Sequence, residues 1–354
     1  MTEVVRRCTE MDLPPLMELF RTVYRYNPRM QERDYLQWQF QAGSAGHKAD
    51  YNIWLVAGED GIHSFLGFVP AEMYYQGRIL PCCWPQNWAC LSGDYAGLTV
   101  LSRLMEDYDS LLYAGLAPDT VAIFNRMQIP VLLEMPRWIG ILQAEQAARI
   151  FSVESAEDRR RLFESQAHLR SLPAGAEIQR VSRFDPEEDF TFARWPEIIG
   201  YSRRTGRYLN WRYFDIPRHS YQTLRNDAGQ FAVYRIEKIK NQEEAVVRIL
   251  EWSFFGVAAA SALQTMVADG LQHNAILLDF FCTAEGVGGE LEKLGFLREN
   301  HLQSPIPYLF RPIKQNAPGL AAAIDLPPHR TRRDLDFRQW YITKGDSDID
   351  RIKL

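Results

Sequence analysis

Seven histidines and five cysteines are the side chains best able to ligate a metal or attack a carbonyl, and their spacing suits neither task. There is no His-x3-His pair and no Ser/His/Asp signature. Cys8, Cys82, Cys83, Cys90 and Cys282 are an odd number without metal-ligand spacing. Cys82 and Cys83 adjoin in what reads as a strand and point to opposite faces, so buried thiols are expected rather than a disulfide. No metal is expected. What remains is carboxylates able to move protons and guanidiniums able to hold anions. Arg203, Arg204, Arg207 and Arg212 crowd the stretch "YSRRTGRYLNWR" from Tyr201, and guanidinium suits phosphate or carboxylate; surface ion pairing is the plainer alternative. Asp94, in "SGDYAGLT" (Ser92–Thr99), and Glu251 are candidate bases, although Asp94 equally suits a helix cap and Glu251 a solvated strand edge.

These residues have to be carried by regular elements, and the hydrophobic pattern supplies them. A strand Glu3–Arg7 precedes helices over Leu13–Tyr26 and Gln31–Gln41. A meander follows at Asn52–Gly58, His63–Pro70, Ala71–Tyr75 and Cys83–Leu91. Helix Ala96–Tyr108, strand Ser110–Gly115, helix Pro118–Gln128 and strands Val131–Glu134 and Arg137–Leu142 complete a first set. The second set runs from strand Glu177–Val181 through helical material at Phe190–Tyr201 and the helix of "YLNWRY". Strands Tyr221–Leu224, Gln230–Lys238 and Glu244–Phe255 come next. Helix Ala258–Leu271, strand Ala275–Phe281, helix Gly288–Leu294 and a strand through Tyr308–Pro312 end it.

The two sets share more than order. "YLQWQF" from Tyr35 returns as "YLNWRY" from Tyr208, "FNRMQI" from Phe124 as "LEKLGF" from Leu291, and "MPRWIGIL" from Met135 as "IPYLFRPI" from Ile306. Similar offsets imply an internal duplication, with the hexapeptide as the second helix of each unit. The expected fold class is therefore α/β with a mixed, α+β type of sheet, in two tandem domains at 1–145 and 176–315. A connecting helical segment spans 146–175 and an extension 316–354. With 46% apolar and 24% charged residues the chain has a well-packed soluble composition, and its net charge of −5 gives no footprint for nucleic acid. No apolar run is long enough to cross a membrane, so a cytoplasmic location is expected.

Strand, two helices, meander, helix, strand, helix and two strands resemble the GNAT acyltransferase fold. "SGDYAGLTVLSRLM" (Ser92–Met105) lies where that family has its acyl-CoA segment, and "LEKLGF" matches its "NxxAxxLYEKxGF" motif. The resemblance implies two splayed parallel strands with the pantetheine arm between them and the pyrophosphate on the amides that open the next helix, where orphan N–H groups and partial positive charge coincide. Cys90, Ser92, Gly93, Tyr95, Ala96, Gly97, Leu98, Thr99, Tyr113 and Phe124 would then line the cofactor. Only Gly93 and Gly97 of the family's glycines survive, with Thr99 and Leu101 in two other glycine places. The second unit reads "FFGVAAASAL" there, so one site, in the first unit, is expected. The tyrosine that protonates the departing thiolate is replaced by Phe124 and by Leu291.

The family acylates amines, usually by direct attack on the thioester. Asp94, Asn87 and Glu251 are accordingly the candidate catalytic residues; Trp88, Tyr201, Arg203, Arg204, Arg207 and Trp211 are the candidate acceptor-binding ones. The nearest likeness is to sugar-nucleotide N-acyltransferases acting on dTDP-3-amino-3,6-dideoxyhexoses for surface-polysaccharide synthesis, such as lipopolysaccharide or capsule. That implies acetyl-CoA or 3-hydroxybutanoyl-CoA as co-substrate and a small nucleotide sugar as partner. The rival readings are an aminoacyl-tRNA-dependent peptidoglycan transferase and a non-catalytic scaffold of the same fold.

Overall fold

The computed structural model describes residues 3–25, 27–41, 50–91, 95–218, 220–311, 313–314, 319–326, 335–346 and 350. Its first strands are β1 (Val4–Cys8), β2 (Tyr51–Gly58), β3 (Gly61–Tyr75), β4 (Arg78–Cys90), β5 (Leu111–Ala114), β6 (Val131–Leu132) and β7 (Arg137–Ile141). Then come β8 (Gln179–Arg180), β9 (Asp189–Phe190), β10 (Gly200–Ser202), β11 (Arg204–Thr205), β12 (Gln222–Arg225), β13 (Phe231–Lys238) and β14 (Ala245–Trp252). The last are β15 (Ala275–Phe281), β16 (Leu297–Arg298), β17 (Ala322–Asp325) and β18 (Trp340–Tyr341). One large mixed sheet runs β1-β2-β3-β4-β5-β17-β6, with β10 and β18 appended beyond β3; the second large sheet runs β16-β7-β15-β14-β13-β12-β8, and β9 and β11 pair as a small two-stranded sheet.

The two sheets exchange strands. β7, expected in the first unit, pairs antiparallel with β15 through Asp279↔Ile139, and β17 enters the first sheet between β5 and β6. Burial explains the crossing. Every residue of β7 is buried, and its Arg137 is held at 3.1 Å by Asp279 of β15 and by the carbonyls of Ile306 and Pro307. A strand with a buried guanidinium seats only where carboxylates and carbonyls already wait. The segment expected as a strand at Tyr308–Pro312 contributes only an isolated bridge between Phe310 and Ile313. The match of "MPRWIGIL" with "IPYLFRPI" is thus not a structural correspondence.

Helices flank the first sheet on both faces: α1 (Leu13–Val23) and α2 (Arg33–Phe40) on one, α3 (Ala96–Asp107) and α4 (Pro118–Arg126) on the other. The spacing of Ala96, Val100, Leu101 and Leu104 gives α3 one apolar stripe, all of it buried. α2 instead buries Tyr35, Leu36, Trp38, Gln39 and Phe40, nearly all round, because it lies between the sheet and the second hexapeptide. Two further helices, α5 (Ala144–Ile150) and α6 (Ala156–Arg170), precede α7 (Gly206–Leu209), where that hexapeptide begins and which continues as a π-turn over Asn210–Phe214. α8 (Gly256–Gln272) and α9 (Glu285–Lys293) follow. α5 and α6, expected as a connecting segment, pack Ala147, Leu162 and Leu169 into the core of the second sheet. The helix expected at Phe190–Tyr201 is absent. Two short strands and turns stand there, since Pro196 lacks an N–H and Phe192, Trp195 and Ile198 all bury. None of the described helices is long and apolar enough to cross a membrane.

Candidate active site

The site begins with a strand pair that comes apart. β4 and β5 run parallel, but pairing is confined to Cys83↔Leu111, although β4 continues to Cys90 and β5 to Ala114. β5 keeps its ladder with β17 on its other side. The last half of β4 therefore presents one backbone edge to a gap. Within that half, Asn87 has φ +57° and forms a bulge, as Leu66 faces Trp88 while Gly67 faces Gln86. Asparagine tolerates this left-handed conformation better than most residues, and a bulge re-aims neighbouring groups. The second sheet pairs much further, from Ala245↔Ala275 to Ile249↔Phe280, and beyond that the Trp252 amide of β14 donates to the Tyr341 hydroxyl at 2.9 Å.

Around the gap lie several of the residues expected from sequence. Cys90 ends β4 and is exposed, whereas the other four cysteines are buried; burial pushes the thiols of Cys8, Cys82, Cys83 and Cys282 up. The Trp88 indole donates to the carbonyl of Gly97 at 3.1 Å, clamping the start of α3 to β4. Gly97 is needed for that approach, because a Cβ there would lie 2.9 Å from Cys90 Cβ. Its role is close strand–helix packing. Ala96 is buried, Tyr95 is 81% exposed, and Leu98 and Thr99 are exposed. Tyr113 and Phe124 are buried with rings 4.6 Å apart. The Tyr113 hydroxyl has no partner among the described residues, and burial pushes it well up. Ser92, Gly93 and Asp94 lie outside the described residues.

The remaining candidates sit elsewhere. Glu251 does not face a cleft. It is 0% exposed, paired with Arg204 at 3.0 Å, and accepts from the hydroxyls of Tyr213 at 2.8 Å and Tyr341 at 3.1 Å. Burial pushes its carboxyl up against the pull of Arg204. Arg204 is equally buried and also pairs with Asp346 at 2.7 Å, so it holds the structure together and is not offered to a ligand. Tyr201 stacks on Tyr74 at 4.9 Å and Trp211 on Trp38, both buried. Arg203 bridges Glu72 and Asp189, and Arg207 pairs with Glu187. These last two line a cavity of ≈ 300 Å³ with Glu72, Glu187 and Glu188. Its carboxylates outnumber its guanidiniums, and a diphosphate meets poor complementarity there. Reading by residue type overlooked the carboxylates, which arrive from distant parts of the chain.

No family model matches the chain, and no curated protein matches it. Solved structures do. The chain is similar to a conserved protein from Enterococcus faecalis described as a probable N-acyltransferase, with a TM-score of 0.52 and 11% identity over 92% of this chain and 73% of that one. It is similar to N-myristoyltransferase from Saccharomyces cerevisiae, solved with bound myristoyl-CoA and inhibitors, with a TM-score of 0.50 and 10% identity over 96% and 85%. It is also similar to a GCN5-related N-acetyltransferase from Kribbella flavida, with a TM-score of 0.50 and 13% identity over 91% and 70%. At such identities the likeness establishes the fold: a mixed α/β fold of the GNAT acyltransferase type, as the order of elements led one to expect.

Proposed function

We propose that the protein is an acyl-CoA-dependent N-acyltransferase, with its thioester site in the first sheet. The observation that carries this reading is the gap between β4 and β5 after Cys83↔Leu111, set against the longer β14–β15 pairing. An exposed strand edge can pair with the amides of a pantetheine arm, and the start of α3, fastened by Trp88, lies at the same end of β4. The two sheets are read as copies of one unit, of which the second has lost its opening.

In this reading the amine attacks the thioester carbonyl beside the bulge at Asn87, and proximity supplies much of the rate. Phe124 cannot protonate the departing thiolate, so the sulfur takes its proton from another donor or from solvent. A nucleotide-linked amino sugar stays the proposed acceptor on resemblance, without the arginine loop as its diphosphate site. The test is incubation with acetyl-CoA and 3-hydroxybutanoyl-CoA against a panel of amines: dTDP-3-amino-3,6-dideoxyglucose, glucosamine and spermidine. Products are read by mass spectrometry and coenzyme A binding by calorimetry. An amide product with release of the free thiol is expected. Absence of coenzyme A binding at millimolar ligand overturns the reading in favour of a scaffold.

A further inference from the structure

The central strands of the second sheet also part, and what lies in their opening is the chain itself. β14 and β15 pair as far as Ile249↔Phe280, and β14 then runs on through Leu250 and Glu251 to Trp252. In the first sheet no strand covers the matching edge of β4 beyond Cys83↔Leu111, among the described residues. In the second, the segment Trp340–Thr343 meets both sides. Toward β14, the Tyr341 hydroxyl accepts from the Trp252 amide at 2.9 Å and donates to Glu251 Oε2 at 3.1 Å. Toward β15, Thr343 bridges to Cys282, and the Thr283 amide donates to the Ile342 carbonyl at 3.0 Å. The Ile342 amide donates to the Thr283 hydroxyl at 3.1 Å, and that hydroxyl donates to the Trp340 carbonyl.

These are the bonds that a free strand edge demands, since a buried amide or carbonyl left alone costs free energy. Trp340, Tyr341, Ile342 and Cys282 are all fully buried, so water is excluded from the opening. The segment follows both copies of the repeated unit in sequence, and its other ties lie outside the β14–β15 pair. β18 pairs with β10 through Gly200↔Trp340 and Tyr201↔Tyr341, and Asp346 holds Arg204 at 2.7 Å. It is an addition laid into the sheet from outside, as a ligand would be.

We propose that Trp340–Thr343 is a built-in occupant of the second sheet's slot, lying where a pantetheine arm would lie and leaving the chain with one thioester site. The proposal rests on reading the two sheets as copies of one thioester-binding unit. A pantetheine arm offers amide N–H and carbonyl groups to a strand edge; the Ile342 backbone and the Tyr341 hydroxyl offer the same kinds of partner. The second unit has thus lost its opening by being filled. The segment carries no thioester, so no acyl transfer takes place there.

The experiment reads Cys282, the buried thiol bridged to the segment. Tyr341→Phe removes the hydroxyl that meets β14, and Thr283→Val removes the one that meets the segment from β15. The unaltered protein, each variant and the double variant are treated with iodoacetamide, with and without millimolar pantetheine, and the labelled cysteines are identified by mass spectrometry. Labelling of Cys282 is expected to rise about ten- to a hundredfold in each variant as local opening becomes easier, while Cys82 and Cys83 of the first sheet stay protected. Pantetheine is expected to slow that labelling, and coenzyme A to bind the unaltered protein once per chain. If Cys82 and Cys83 gain reactivity together with Cys282, or Cys282 stays inert even in the double variant, the segment is an inseparable part of the core and the proposal falls. Labelling that pantetheine leaves unchanged overturns it too, as does binding of two coenzyme A molecules by the unaltered protein. Absence of any coenzyme A binding defeats the thioester reading of the first sheet instead, and protection of Cys282 by pantetheine still decides the second slot.

Discussion

Trp38 and Trp211 stack with ring centres 5.1 Å apart and planes 17° from parallel, and each donates its indole N–H to the other's backbone carbonyl, at 2.8 and 2.9 Å. The two copies of the hexapeptide thus recognise each other. Both indoles are buried and both polar atoms satisfied, so the pair joins the first half of the chain to the second. Replacing either Trp by Ala should cost about 3–5 kcal/mol of unfolding free energy. In a double-mutant cycle the two losses should fall short of additivity by at least about 1 kcal/mol, since the second change removes a contact already lost. Denaturant titration measures both; strict additivity argues against coupling.

Arg204 and Arg207, three residues apart, should behave as opposites. Arg204→Ala leaves Glu251 and Asp346 buried without their cation, a loss of about 3–5 kcal/mol. Arg207 is 65% exposed at its side chain and pairs with an exposed Glu187; its replacement should change stability by less than about 0.5 kcal/mol. The amine's KM should also be unmoved in Arg207→Ala, and a large rise would restore the loop as an acceptor site.

Cys90 offers a chemical reporter of the proposed thioester site. It is exposed at the end of β4 and the other cysteines are buried, so one thiol per chain should react with Ellman's reagent before unfolding. Saturating coenzyme A should slow that reaction at least about tenfold, because a ligand in the gap covers the residue. Unaltered kinetics would move the site away from β4.

Acid should find Asp279 late. Burial alone would raise its carboxyl, but Arg248, Lys344 and Arg137 outweigh that and hold it at about 2, below the ordinary 3.8. A depressed folded value means the unfolded chain binds the proton first. The contribution is complete above the unfolded value and is lost as pH falls through about 2. Asp279→Asn should flatten the stability profile between about pH 4 and 2, and at neutral pH it should cost about 1.5–3 kcal/mol, since Arg137 keeps Glu299 and Arg248 keeps Glu237. Chemical unfolding at a series of pH values checks both.

Local pattern carried most of the elements and little of their partnership. α3, α4, β15 and most of the meander could be read because apolar spacing sets which face of each is buried, although His63–Pro70 and Ala71–Tyr75, expected as two strands, form the single strand β3. The destination of β7 could not, since its apolar residues suit either sheet and the choice rests on Asp279, far along the chain. The π-turn at Asn210–Phe214 escaped because its sequence is that of an ordinary helix. At the candidate site, glycine spacing drew attention to the end of β4, where β4 and β5 part. It assigned Gly97 to phosphate approach, where the packing of Trp88 and Cys90 is what requires it. The arginines misled for one reason: charge type is visible in a sequence, but the carboxylate that neutralises it is not.

The exchange of β7 and β17 also bears on how the chain is made. The edge of β5 that β17 covers leaves the ribosome some two hundred residues before its partner, Ala322–Asp325. At roughly 5–20 residues per second, that edge stays uncovered for about 10–40 s during synthesis. β6, just two residues long, joins the first sheet only through β17. The first half, although translated first, is therefore among the last parts to be finished, and the window in which a nascent chain can pair with a neighbour's β5 closes only when the second half is complete.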